Sequence, residues 1–237
     1  MFRNYFVYNW KNKEPRYIMI FFNKSFGKRF ALIALYYFFN VFIILLFDES
    51  ELWNGFTDRF LVYQFSIVFL IGKAGIDNYF NYYVTSRLGT RKQAILNHTL
   101  YDLFYTVMVV SAVFIFFMFF SVLIKGKNYV DSIYLLVDCY FRYLLTAFLL
   151  TNISRNFLHA KINIFRKYSQ LCAYLILVVD VLILYPMVHR VVGQNEIQFL
   201  FSWTLAENNI LSYVILGVWN ILLFFYLYRR CEQEDLL

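Results

Sequence analysis

The stretch NYYVTSRLGTRKQAIL, residues 81–96, decides how the chain is read. It gathers Arg87, Arg91 and Lys92 around Gly89, between two long apolar runs at about residues 59–80 and 101–124. Each run is close to the ~20 residues that a helix rising about 1.5 Å per residue needs to cross ~30 Å of hydrocarbon. Cations concentrated between two such runs mark a turn on the side of the membrane that retains positive charge.

Four further apolar segments, at about 30–47, 132–151, 170–189 and 210–228, extend the pattern to six spans. Composition points the same way: of 237 residues, 61% are hydrophobic, 23% aromatic and 16% charged, where soluble domains carry about 25% charged residues. The expected fold class is an all-α integral membrane protein with six transmembrane helices. One membrane domain is expected to fill residues 1–237, with a cytoplasmic amphipathic leader over 1–29, a six-span core over 30–228 and a cytoplasmic tail over 229–237. No internal repeat or low-complexity tract divides it.

Orientation follows from where the Lys and Arg residues fall, because the excess of cations in short loops stays cytoplasmic. On one side lie Arg3, Lys11, Lys13, Arg16, Lys24, Lys28 and Arg29 in the leader, and Arg87, Arg91 and Lys92 in the second loop. Arg155, Lys161, Arg166 and Lys167 in the fourth loop and Arg229 and Arg230 at the end join them. The other side has only Arg59, Lys125, Lys127 and Arg190, while Lys73 and Arg142 fall inside spans. Sixteen against four places both termini in the cytoplasm, with the protein in the plasma (inner) membrane and the acidic loop FDESELWNGFTD outside. The formal charge of +7 is thus a topology signal, and no nucleic-acid partner is expected.

The first apolar run begins near Ala31, after a long aromatic and basic leader without the compact plan of a signal peptide, so the leader is expected to remain. Abundant Phe, Tyr, Ile, Asn and Lys with only Pro15 and Pro186 is a bias that an AT-rich bacterial genome also produces. Cys139, Cys172 and Cys231 are far apart and form no C-x-x-C pair, which suits packing residues or isolated thiols.

Two segments are amphipathic without spanning. Residues 2–28 mix aromatics with Lys and Arg as an interfacial helix or pair of helices does, and equally as a basic tail that only fixes orientation. Residues 193–209, GQNEIQFLFSWTLAENN, have an apolar centre too short to cross. They read as a short amphipathic element dipping into or lying on the outer leaflet before span six, or as an external loop anchored by Trp203.

Catalytic and nucleotide signatures do not appear. The GK dipeptides at Gly27, Gly72 and Gly126 are not in the G-x-x-x-x-G-K-[ST] order that cradles phosphate and magnesium. His98, His159 and His189 sit in different segments without H-E-x-x-H, and there is no G-x-S-x-G elbow. His98 and His159 are expected near cytoplasmic helix ends, partly solvated. No catalytic residue, metal site or bound cofactor is assigned, and the chain is not expected to be an enzyme.

Ionisable residues within spans carry more weight, because each costs about 2.5–3.5 kcal/mol at the bilayer centre on insertion scales. Lys73 with Asp77, and Asp138 with Arg142, are four residues apart and share a helix face. Such pairs either line a path or lock helices together. Asp180 stands alone near the middle of the fifth span and is expected to face a cavity or partner, or to be protonated. Asp102 is nearer the cytoplasmic surface and needs less explanation.

With its basic amphipathic leader, six spans, basic turn after the second span and short amphipathic element before the sixth, the chain resembles the small bacterial permease of a type-2 ABC exporter. The most local likeness is SRLGTRKQAIL, residues 86–96, similar to the cytoplasmic R-x-x-x-R-[KR] turn of that family. The resemblance implies that the leader forms a connecting helix along the inner surface. It also implies that Arg87, Leu88, Gly89, Thr90, Arg91 and Lys92 form an ATPase-coupling helix between spans two and three. ATP and Mg would then be bound by a separate ABC ATPase subunit, and a second permease copy or a homologous permease would complete the path. The other reading, from the residues alone, is a stand-alone membrane immunity or assembly protein without transport activity.

Overall fold

The computed structural model describes residues 31–39, 60–79, 91–125, 133–187, 200–205 and 210–234. The leader, residues 87–90 of the basic turn and the acidic loop lie outside the described residues, as do the side chains of Asp77, Arg91 and Lys92.

Among the described residues every element is helical. Helix α1 covers residues 31–39. Helix α2, Ile67–Tyr79, follows directly on a π-helical segment, Phe60–Ser66. Helices α3, Arg91–Lys125, and α4, Ile133–Leu158, are the two longest. A short α5, Asn163–Lys167, leads into α6, Ser169–Val178, which widens into π-helix over Val179–Leu184. A 3-10 turn, Ser202–Leu205, precedes α7, Ile210–Glu234.

Four segments are long and apolar enough to cross a membrane, His98–Phe119, Leu136–Leu158, Ser169–Met187 and Ile210–Arg230, and Phe60–Ala74 is a shorter apolar helix. They correspond to the expected third to sixth spans, and these helices mark a membrane protein. Their ends differ from the apolar runs. Helix α3 has 35 residues, about 52 Å at ~1.5 Å per residue, and starts at Arg91, so Arg91 and Lys92 open a continuous helix. Helix α4 runs to Leu158, which places Arg155, counted above as a loop cation, inside a helix. Hydrophobicity reports where hydrocarbon lies, whereas a helix continues as long as its backbone bonds are satisfied.

The bundle is built around α4, which packs against α3, α6 and α7. Within the spanning windows, 67% of α4 is buried against 22% for α6 and for α7. The remaining apolar side chains, including Leu171, Leu175, Val214, Val218 and Phe225, are exposed, as expected of surfaces that meet lipid. Because lipid is as apolar as Leu, association of such helices depends on close packing and interhelical hydrogen bonds.

Aromatic rings supply much of that packing. Phe65 stacks on Phe69 with centroids 5.6 Å apart and meets Tyr143 edge-on at 5.3 Å. Phe114 of α3 meets Tyr143 at 5.9 Å and Tyr140 at 5.4 Å, again edge-on, a geometry that suits the ring quadrupoles. Two buried hydroxyls bond across helices: Tyr37 donates to the Phe65 carbonyl and Tyr105 to the Phe69 carbonyl, both at 2.8 Å. Those carbonyls flank the point where π-helix gives way to α-helix, where the backbone ladder changes step.

Candidate functional site

Asp102 and His98 share one face of α3, one turn apart at the start of its apolar window. Opposite them, α2 presents Lys73 and α4 presents Arg155. Lys73 Nζ lies 2.6 Å from Asp102 Oδ1, and Arg155 Nε lies 3.4 Å from Asp102 Oδ2, with all three side chains fully buried. His98 Nε2 is 3.7 Å from the same carboxylate and 3.5 Å from Lys73 Nζ. Arg155 Nη2 also donates to Thr99 Oγ1 at 2.7 Å and to the Ile95 carbonyl at 3.2 Å. Thr99 itself donates to that carbonyl at 2.7 Å. One carboxylate therefore ties α2, α3 and α4 together at the basic end of the bundle.

This ionic centre corrects several expectations. Lys73 reaches across to Asp102 on another helix, while its expected same-helix pairing with Asp77 falls on a side chain outside the described residues. Asp102 is fully buried, and His98 is buried where partial solvation is expected. Spacing within one sequence reports neighbours on one helix and is silent about which faces meet. The four-residue interval from His98 to Asp102 at the mouth of a span was nevertheless a readable signal of the same kind as Lys73 to Asp77.

At the opposite end, Asp138 and Arg142 form the expected i,i+4 pair, 2.6 Å between Nη2 and Oδ2. Each also binds a neighbour. Arg142 Nη1 donates to the Thr204 carbonyl at 2.7 Å, and the Tyr213 hydroxyl of α7 bonds the Asp138 carboxylate. Thr146, one turn along α4, bonds the Thr204 hydroxyl.

Asp180 is not solitary. Its buried carboxylate accepts the backbone N–H groups of Phe201 and Ser202, satisfying donors that would otherwise be stranded in an apolar interior. The residue lies in the π-helical stretch Val179–Leu184, one helical turn and a half before Pro186. Proline has no N–H and crowds the carbonyl four residues back, which favours local widening of the helix. Phe201, Ser202, Trp203 and Thr204 are all buried. Residues 201–204 therefore pack between helices, fixed at their start by Asp180 and at their end by Arg142 and Thr146, while the rest of the expected amphipathic element, 193–199 and 206–209, lies outside the described residues.

Between the two ionic centres, α4 bonds α7 through polar groups that spacing alone does not single out. Asn152 donates to the Asn220 side chain at 2.9 Å, and Asn220 donates back to the Leu145 carbonyl at 3.0 Å. Asn156 reaches the Leu223 carbonyl at 3.3 Å. Asn220, set in the apolar run VWNILL, was the visible clue. Along α4, residues 138, 142, 146, 152 and 155 are each engaged by another element.

Among the described residues, no group of three or more His, Cys, Asp and Glu side chains is placed to hold a metal ion. Comparison with protein-family models, curated proteins and solved structures gives no match.

Proposed function

We propose that the chain is the membrane-spanning permease subunit of an ATP-driven ABC exporter, forming its path with a second permease copy or sister chain and powered by a separate ATPase subunit. Six spans, both termini in the cytoplasm and a plasma-membrane location belong to this proposal. Arg87, Leu88, Gly89, Thr90, Arg91 and Lys92 are its ATPase-coupling segment, with Arg87 and Arg91 offering two cations to acidic groups on the partner.

The observation that carries the reading is the mechanical continuity of α3. Its basic start, Arg91 and Lys92, is on the same unbroken helix as His98 and Asp102, and Asp102 is ion-paired to α2 and α4. From Arg91 to Asn97 the helix precedes its apolar window by about two turns. A displacement applied to that basic end is delivered to three helices at once, because a packed bundle transmits rigid-body motion.

Arg87→Gln with Arg91→Gln is expected to lower stimulation of ATP hydrolysis in the partner subunit and its recovery in co-purification by about tenfold. Lys92 and the leader remain to hold orientation. Normal insertion together with undiminished ATPase binding and full turnover would sink the coupling role.

A stand-alone membrane immunity or assembly protein is the second reading. It is favoured by the way Asp138, Arg142 and Asp180 are all engaged in holding α7 or residues 200–205, as locks are. Full activity of the chain expressed without any ATPase supports this reading over the first.

A further inference from the structure

The chain leaves one spanning window at Leu158 and enters the next at Ser169, so residues 159–168 are tethered to the bilayer surface at both ends. Residues 161–168 are all exposed. With about 100° per residue, Ile164, Phe165 and Tyr168 fall on one side of α5, and Asn163, Arg166 and Lys167 on the other. Arg166 Nη2 donates to Asn163 Oδ1 at 2.9 Å along that polar side. Phe165 is tied to the end of α4 by its ring contact with Phe157, 5.6 Å between centroids. Ile162 and Ile164 remain 56% and 67% exposed, an unfavourable state in water for two neighbouring isoleucines.

We infer that residues 161–168 are an interfacial anchor whose apolar side sits in the headgroup layer of a bilayer and whose Lys161, Arg166 and Lys167 hold anionic lipid. Charge complementarity selects the partner: from residue 139 to residue 179 the sequence contains no Asp or Glu, so no acidic residue close along the chain neutralises these cations. The short tether selects a membrane over a soluble acidic protein, since it keeps the segment at the depth where headgroup phosphates lie. Such segments partition by apolar area plus attraction to anionic lipid. The inference needs only that α4 and α6 cross the bilayer, and it is independent of the transport reading.

Hydrogen exchange of the full chain in nanodiscs tests it, comparing purely phosphatidylcholine discs with discs containing phosphatidylglycerol, without any partner subunit. Amides of residues 161–168 are expected to exchange about tenfold more slowly in the anionic discs. Lys161→Gln with Arg166→Gln and Lys167→Gln should abolish that dependence on lipid, and Ile164→Asn should speed exchange in both discs. Protection of α4 and α6 reports that each variant is folded. Equal exchange in the two lipids overturns the proposal, as does protection that appears only when an ATPase subunit is added. Loss of ATPase coupling, by contrast, leaves this measurement unchanged.

Discussion

Asp102 touches three basic groups contributed by three helices: Lys73 from α2, His98 from α3 and Arg155 from α4. Burying these charges is costly, and the arrangement persists because each cation finds the same carboxylate at short range. Removing the carboxylate leaves Lys73 and Arg155 buried without it. Asp102→Asn is therefore expected to destabilise the protein by about 3–5 kcal/mol, the usual consequence of breaking a buried pair from one side. Neutralising both members of a pair, Asp138→Asn with Arg142→Gln, should cost only about 1–3 kcal/mol, since no lone charge is left behind. Denaturant unfolding in detergent, followed by circular dichroism, orders the two variants. An unchanged midpoint for Asp102→Asn would mean that the cluster does not hold the helices together. At this scale the sequence showed which residues are expensive in a membrane. It did not show their partners, because Lys73 and Asp102 are 29 positions apart and only the packing of α2 on α3 brings them together.

Elements were more legible than contacts. The apolar runs at 101–124, 132–151, 170–189 and 210–228 each coincide with a spanning helix, because in hydrocarbon the backbone has few alternatives to helix. Helix ends were less legible, since Arg91–Asn97 and Asn152–Leu158 were not read as span yet continue their helices. The π-helical stretches and the buried 3-10 turn were hidden for another reason: they depend on side chains such as Asp180 and Tyr37 arriving from other elements. The junction of α1, α2 and α3 offers a direct test of how closely elements approach. A methyl group at Gly72 would collide with the Tyr105 hydroxyl and come within 2.6 Å of Ile33 Cδ1. Gly72→Ala should cost about 1–3 kcal/mol by overpacking, and it should disturb the bond from Tyr105 to the Phe69 carbonyl. Gly217 on α7 has nothing within 4 Å of the same position, so Gly217→Ala should be neutral or stabilising by up to ~1 kcal/mol, the helix preference of Ala over Gly. Thermal unfolding of the two variants in detergent measures the difference; equal midpoints would refute the close approach at Gly72.

For the whole molecule, the expected orientation rests on cations that lie outside the apolar runs. Moving Arg155 from the fourth loop to the buried end of α4 leaves the asymmetry of basic residues at fifteen to four, still heavily one-sided. The rule draws its force from the cost of carrying cations across during insertion, and that cost is summed over loops, so one reassigned residue does not reverse the expected orientation. Single cysteines provide the measurement. Those introduced at Thr90 and Asn163 are expected to resist an impermeant thiol reagent in intact cells, while one at Asn54, in the acidic first loop, reacts. Asn163 is exposed on α5, so the membrane, and not burial, is what should protect it, and it should react once the cells are permeabilised. Labelling at Thr90 from outside intact cells would place the basic turn on the far side of the membrane. It would then be beyond the reach of any cytoplasmic ATPase, and α3 would have nothing to receive at its basic end.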